Sequence, residues 1–186
     1  MPAMHRALAL ALTLTIPLAC GAPATEGAAA TKSAETKSAA MIGYDLRRLR
    51  PRNEETLAEM FERLRTQALG EGKRTLVLFS ADWCAPCRRL EAELGNLQPA
   101  SMIDDARIFE LKEEEWQEAT RMDEFNALRS RWYPKTGSYP VLVLLDDSGA
   151  KVEEMKEAIE RLEGEGVEAT LPNWFASSRQ STSRSG

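Results

Sequence analysis

Three short apolar runs do most to limit the folds open to this chain: TLVLF at residues 75–79, RIFEL at 107–111 and VLVLL at 141–145. The first and third have the length and side chains of strands buried in a sheet, and the second reads as another strand. The stretches around them repeat apolar residues at helical spacing instead. Leu57, Met60, Phe61, Leu64 and Ala68 share one face of a helix that Asn53 can cap and Gly70 can end. Cys87, Leu90, Leu94 and Leu97 mark a second helix, closed by Pro99. Residues 113–132 read as a third, with Phe125, Leu128 and Trp132 on one side. A turn at Asp146-Asp147-Ser148-Gly149 leads into a charged segment, 151–163, expected to give a short edge strand and a closing helix. Strands and helices in alternation predict an α/β sheet covered on both faces.

The ends differ in character. Residues 1–6 carry positive charge and precede an uncharged run, 7–19, too short for the roughly 20 residues that span a bilayer. That is the form of an export signal. The run ends Leu18-Ala19-Cys20-Gly21, which resembles the lipobox of bacterial lipoproteins, where the cysteine is lipidated and becomes the new N-terminus. Pro17 stands where that motif usually has leucine, so a plain signal peptide with an incidental Cys20 is the alternative. Residues 21–40, GAPATEGAAATKSAETKSAA, hold no large apolar side chain and cannot bury enough surface to order themselves. The expected organisation is a signal peptide at 1–19, a lipidated cysteine and flexible linker at 20–40, a folded domain at 41–168 and a disordered tail at 169–186. The expected location is periplasmic and membrane-anchored as a lipoprotein, with a soluble secreted or periplasmic protein as the alternative. A formal charge of −5 argues against nucleic acid as a partner.

The chain has three cysteines, Cys20, Cys84 and Cys87, and one histidine, His5. Removal of the leader would leave no histidine, which excludes mechanisms built on an imidazole base. It would also leave Cys84 and Cys87, in ADWCAPCRRLE, as the only sulfurs of the folded domain that can act as thiols. Structural zinc needs four ligands, so no metal is expected. Covalent haem needs histidine directly after the second cysteine, and Arg88 stands there. A structural staple stabilises by closing a loop, and this loop is very short. A redox pair fits the position best, because the cysteines follow a buried strand and open a helix. Unpaired N–H groups and the positive dipole end there favour a thiolate. Cys84, at the tip, is expected to be the exposed nucleophile. Cys87, on the face of Leu90 and Leu94, is expected to be the sheltered resolving thiol. Pro86 suits the first turn, and Arg88 and Arg89 are expected to face solvent.

The segments VLFSADWCAPC and SYPVLVLLDDSG, with the helix after the cysteines, resemble the thioredoxin superfamily over about residues 42–162. They are similar in particular to periplasmic, membrane-associated members such as the C-terminal domain of the thiol:disulfide interchange protein DsbD. The resemblance implies a thioredoxin-like fold with a central mixed sheet of about four strands and helices on both faces. It implies thiol–disulfide exchange with protein partners of the cell envelope, no cofactor beyond the cysteine pair, and a monomer. Tyr139 and Pro140 then correspond to the cis-proline loop, and with Trp83 they would bind the partner. Thioredoxins also carry a buried aspartate on the strand before the motif, where this chain has Leu78. Glu91, four residues after Cys87 on the same helix, is the first candidate to replace it. Glu110 on the neighbouring strand is the second, and a solvated Glu91 without such a role is the plain alternative. A non-catalytic, lipid-tethered binding or assembly module is the competing reading of the whole chain.

Overall fold

The computed structural model describes residues 40–134 and 138–182. The expected leader at 1–19, Cys20 and all of the linker except Ala40 lie outside the described residues. The main sheet has five strands: β2 (Asp45–Arg48), β3 (Arg74–Ser80), β5 (Ala106–Lys112), β6 (Val141–Leu145) and β7 (Lys151–Glu154). Their spatial order is β2-β5-β3-β6-β7. β2 and β3 run parallel to β5, whereas β6 is antiparallel to β3 and β7 to β6. The sheet is therefore mixed, as expected for a thioredoxin-like fold, with β3 at its centre. A separate pair, β1 (Met41–Ile42) with β4 (Gln98–Pro99), runs antiparallel.

The strands alternate their side chains between two apolar layers. Val77, Phe79, Phe109, Leu111 and Val143 face α1 (Leu57–Gly70), α4 (Glu113–Glu118) and α5 (Met122–Ser130). Phe61 meets Phe109 and Trp132 edge-on there, at ring separations of 5.8 and 5.4 Å. Leu76, Leu78, Ile108, Leu142 and Leu144 face α2 (Ala85–Leu94), α3 (Ala100–Ile103), α6 (Met155–Gly164) and α7 (Leu171–Thr182).

Several sequence expectations are corrected by local chemistry. The cap of α1 is Thr56, not Asn53, because Thr56 and Glu59 form a reciprocal capping box. The cysteine helix ends at Leu94 with Gly95 as its cap, so Leu97 is exposed and Pro99 belongs to β4. The single helix over 113–132 is two, divided where Thr120 takes φ of 54°. The fifth strand, β2, has the sequence DLRR and no apolar alternation to betray it. Asp45 binds Arg107 at 2.8 Å and Arg48 binds Glu110 at 2.8 Å, so polar pairs tie this edge to β5.

The largest correction concerns the tail. Residues 171–182 form α7, with Leu171, Trp174 and Phe175 buried in the second layer. Trp174 also donates its indole N–H to Glu153 Oε2 at 2.8 Å. Arg74, at the start of β3, donates to the Phe175 carbonyl and the Ser178 hydroxyl. The motif LPNWF supplies three apolar side chains in five residues, enough to hold the segment on the sheet. A Trp174→Ala variant is expected to lose about 3–5 kcal/mol of stability by urea denaturation. A loss within a few tenths would mean that α7 does not belong to the core.

Candidate active site

β3 ends in Ser80, and Ala81, Asp82 and Trp83 carry the chain into α2. The turn is closed by Cys84, whose N–H donates to the Ala81 carbonyl at 3.1 Å. Cys84 is the cap of α2, and its Sγ accepts the N–H of Cys87 at 3.1 Å. Pro86 lies in the first turn, where the absence of an N–H leaves no bond unmade. The two cysteines form a disulfide with Cα atoms 5.2 Å apart.

One expectation about this pair is corrected. Cys84 is 4% exposed, against 1% for Cys87, so neither sulfur stands out into solvent in the oxidised protein. Tyr139 packs against the small cluster of Ala81, Cys84 and Cys87. What projects is Trp83, 63% exposed. Its ring meets Tyr139 edge-on at 5.7 Å. The Tyr139–Pro140 peptide bond is cis. Trp83, Tyr139 and the cysteines are thus brought together, with Pro140 directly beyond Tyr139. The Tyr139 hydroxyl is held well above its usual titration range, first by burial and then by the Glu113 carboxylate.

Charge surrounds the apolar cluster. Lys112, the last residue of β5, reaches Asp82 Oδ1 and Glu91 Oε1, both at 2.6 Å. Burial works against the Lys112 ammonium, but the bonds to Asp82 and Glu91 outweigh it and hold its pKa above the ordinary lysine value. The same bond lowers the Asp82 carboxyl. The Asp82 N–H donates to Glu114 Oε1, and Arg88 donates to the Asp82 carbonyl. Arg88 is exposed, as expected, and also ties the turn to the helix.

Glu91 is partly exposed and bound to Lys112. Glu110 is fully buried, directly across the β3–β5 ladder from Leu78. It accepts from Arg48 Nε at 2.8 Å and from the Ser80 hydroxyl at 3.3 Å. A buried carboxylate therefore lies one strand over from Leu78. Among the described residues, no three His, Cys, Asp or Glu side chains converge to hold a metal.

Two residues of this neighbourhood escaped the sequence reading. Lys112 follows Glu110 at strand spacing, and that alternation on one face was its signal. Arg129 interrupts the buried stripe of Phe125, Leu128 and Trp132, which marks it as an arginine facing inward. Its guanidinium lies over the rings of Tyr133 and Tyr139.

A cysteine pair capping the helix after the central strand, opposite a cis proline, places the molecule in the class of thiol–disulfide redox folds. The sequence model of the thioredoxin-like domain matches residues 61–161, more than half of the chain, and the chain belongs to that family. Similar solved structures include a disulphide isomerase from Xylella fastidiosa Temecula1, 19% identical over 70% of this chain and 98% of that one, with a TM-score of 0.47. Poplar thioredoxin h is 20% identical over 59% of this chain and 81% of that one, with a TM-score of 0.39. The Trxlp protein of Edwardsiella tarda EIB202 is 26% identical over 54% and 81%, with a TM-score of 0.33. No curated protein matches the chain.

Both cysteines lie in the same small apolar cluster, and what separates them is that the Cys84 sulfur accepts a helix N-terminal N–H, an arrangement that generally favours a thiolate. In the reduced protein, Cys84 is expected to react with iodoacetamide at neutral pH at least about tenfold faster than Cys87. Mass spectrometry of the peptide containing both cysteines measures the ratio, and equal rates would remove the distinction.

Proposed function

We propose that this protein is a thiol–disulfide oxidoreductase of the cell envelope that reduces or exchanges disulfides in partner proteins. The single observation that carries the reading is the closed Cys84–Cys87 pair with Cys84 capping α2 and accepting the Cys87 N–H. In the reduced dithiol, the Cys84 thiolate attacks one sulfur of a partner disulfide. The S–Cys84 bond forms, the partner S–S bond breaks, and one partner sulfur leaves as a thiolate that takes up a proton. Cys87 then loses its proton and attacks the Cys84 sulfur of the mixed disulfide. The second partner thiol is released and the Cys84–Cys87 bond re-forms. Two electrons pass from the dithiol to the partner, and a second dithiol reductant must return them.

Trp83, Tyr139 and Pro140 form the docking surface in this scheme. Glu91 accepts the Cys87 proton, and Lys112 orients it. Glu110 is the competing acceptor, buried beside Leu78 but already bound to Arg48. Ala-Pro between the cysteines is closer to the Gly-Pro of reducing thioredoxins than to the Pro-His of the oxidant DsbA, which favours the reducing direction. Similarity to DsbD-type domains and the leader at 1–19 support export, anchoring through a lipid on Cys20, and the linker at 20–40 as a tether. The molecule acts as a monomer on protein thiols and disulfides, without a cofactor.

Three variants test the reaction. Wild type is expected to reduce insulin, Cys84→Ser to be inactive, and Cys87→Ala to accumulate a mixed disulfide. Glu91→Gln should prolong the lifetime of that adduct when Cys87 is present, and a delay confined to Glu110→Gln would transfer the role. Equal inertness of wild type and Cys84→Ser would overturn the enzymatic reading in favour of a binding module. For the anchor, labelled palmitate is expected to enter the wild-type chain and not Cys20→Ser, and equal labelling would refute it.

A further inference from the structure

Arg129 is a buried charge that the exchange scheme leaves without a task. It is 4% exposed, in the last turn of α5. Among the described residues it forms no ion pair, and its Nε has no hydrogen-bond partner. A buried guanidinium is ordinarily matched by a carboxylate, because desolvation of an unmatched charge is costly. Here the compensation is of another kind. The guanidinium lies 5.0 Å from the Tyr139 ring centre and 5.4 Å from that of Tyr133. Its Nη2 donates to the Ser138 carbonyl at 3.0 Å. The end of a helix also favours a cation.

These contacts converge on one short segment. The bond to Ser138 and the ring contact with Tyr139 fix two consecutive residues directly before Pro140. Tyr139 in turn meets Trp83 and packs on the cysteine cluster. A leucine at position 129 would complete the apolar stripe of Phe125, Leu128 and Trp132 without a desolvated charge, so packing alone does not explain an arginine.

We infer that Arg129 is a positioning residue for partner docking: it holds Ser138 and Tyr139 from beneath, so that the surface of Trp83, Tyr139 and Pro140 is formed before a protein partner arrives. The inference rests on the exchange reaction proposed above and deepens it. A partner the size of a protein must lie along that surface, whereas a small disulfide needs only the Cys84 sulfur. Arg129 therefore acts on docking and not on the sulfur chemistry.

The experiment compares Arg129→Met with wild type on insulin and on bis(2-hydroxyethyl) disulfide, with the Cys84–Cys87 equilibrium against glutathione as a third readout. The rate constant for insulin at low substrate is expected to fall about tenfold through KM, the order of a lost cation–π contact together with a hydrogen bond. The small-disulfide rate and the glutathione equilibrium should stay within about twofold of wild type. Arg129→Lys restores the charge but not the planar fork and should recover only part of the loss. Tyr133→Leu removes the ring farther from the cysteines, leaves Arg129 in place, and should show the same selective loss at a few-fold level. That variant keeps the test open if Arg129→Met does not fold. Parallel loss on both substrates, or no loss on either, would overturn the inference while leaving the exchange reaction intact. A wild-type protein inactive on both substrates would instead refute the exchange reaction itself.

Discussion

The candidate site is organised around one hydrogen bond, from the Cys87 N–H to the Cys84 sulfur at the start of α2. The first N–H groups of a helix have no partner within it. Elsewhere in the chain a hydroxyl meets that need, as Thr56 does for α1. At α2 a sulfur does. The same contact that ends the orphaned state of a backbone donor supplies the partial positive charge that a thiolate requires. Helix initiation and the placement of the Cys84 sulfur are one interaction, and the strand before it fixes where it happens. β3 is the centre of the sheet and is buried almost throughout, so the cap sits on the most constrained element of the fold.

Around that cap the protein holds polar groups at two depths. The column on the α2-facing side of β5 runs from Ile108 through Glu110 to Lys112, apolar at the base and charged toward the cysteines. Glu110 is closed off with Arg48 and Ser80, whereas Lys112 opens onto Asp82 and Glu91 nearer the surface. Burying a charge pair of this sort contributes little net stability by itself, since desolvation offsets the attraction. What the outer pair does is local: Lys112 at the end of β5 ties Asp82, in the turn before the cysteines, to Glu91 on α2.

The fold was legible in the sequence where burial writes a period. TLVLF, RIFEL and VLVLL all became strands, and Leu57, Phe61, Leu90 and Leu94 all turned inward. Legibility failed where pairing replaces burial. DLRR joins the sheet through its backbone ladder with β5, reinforced by ion pairs that no hydrophobic count detects. It failed again at the C-terminus, where Ser, Arg and Gln surround Trp174 and Phe175 and the average looks like a tail. Two aromatic side chains at adjacent positions outweighed that average. At the site, the cysteines and Pro140 stood out because their chemistry is tied to residue type. Arg129 and Lys112 did not, since an arginine or lysine in a helix or strand is ordinarily solvated.

The route by which the chain enters the fold has a consequence for orientation. Ala40 accepts the N–H of Ala100 at 2.7 Å, and Met41 lies opposite Pro99, beyond the C-terminal end of α2. The cysteines sit at the other end of that helix, ten residues and about 15 Å away. The described chain therefore joins the fold at the pole opposite the disulfide, so its point of entry leaves the face of Trp83 and Tyr139 uncovered.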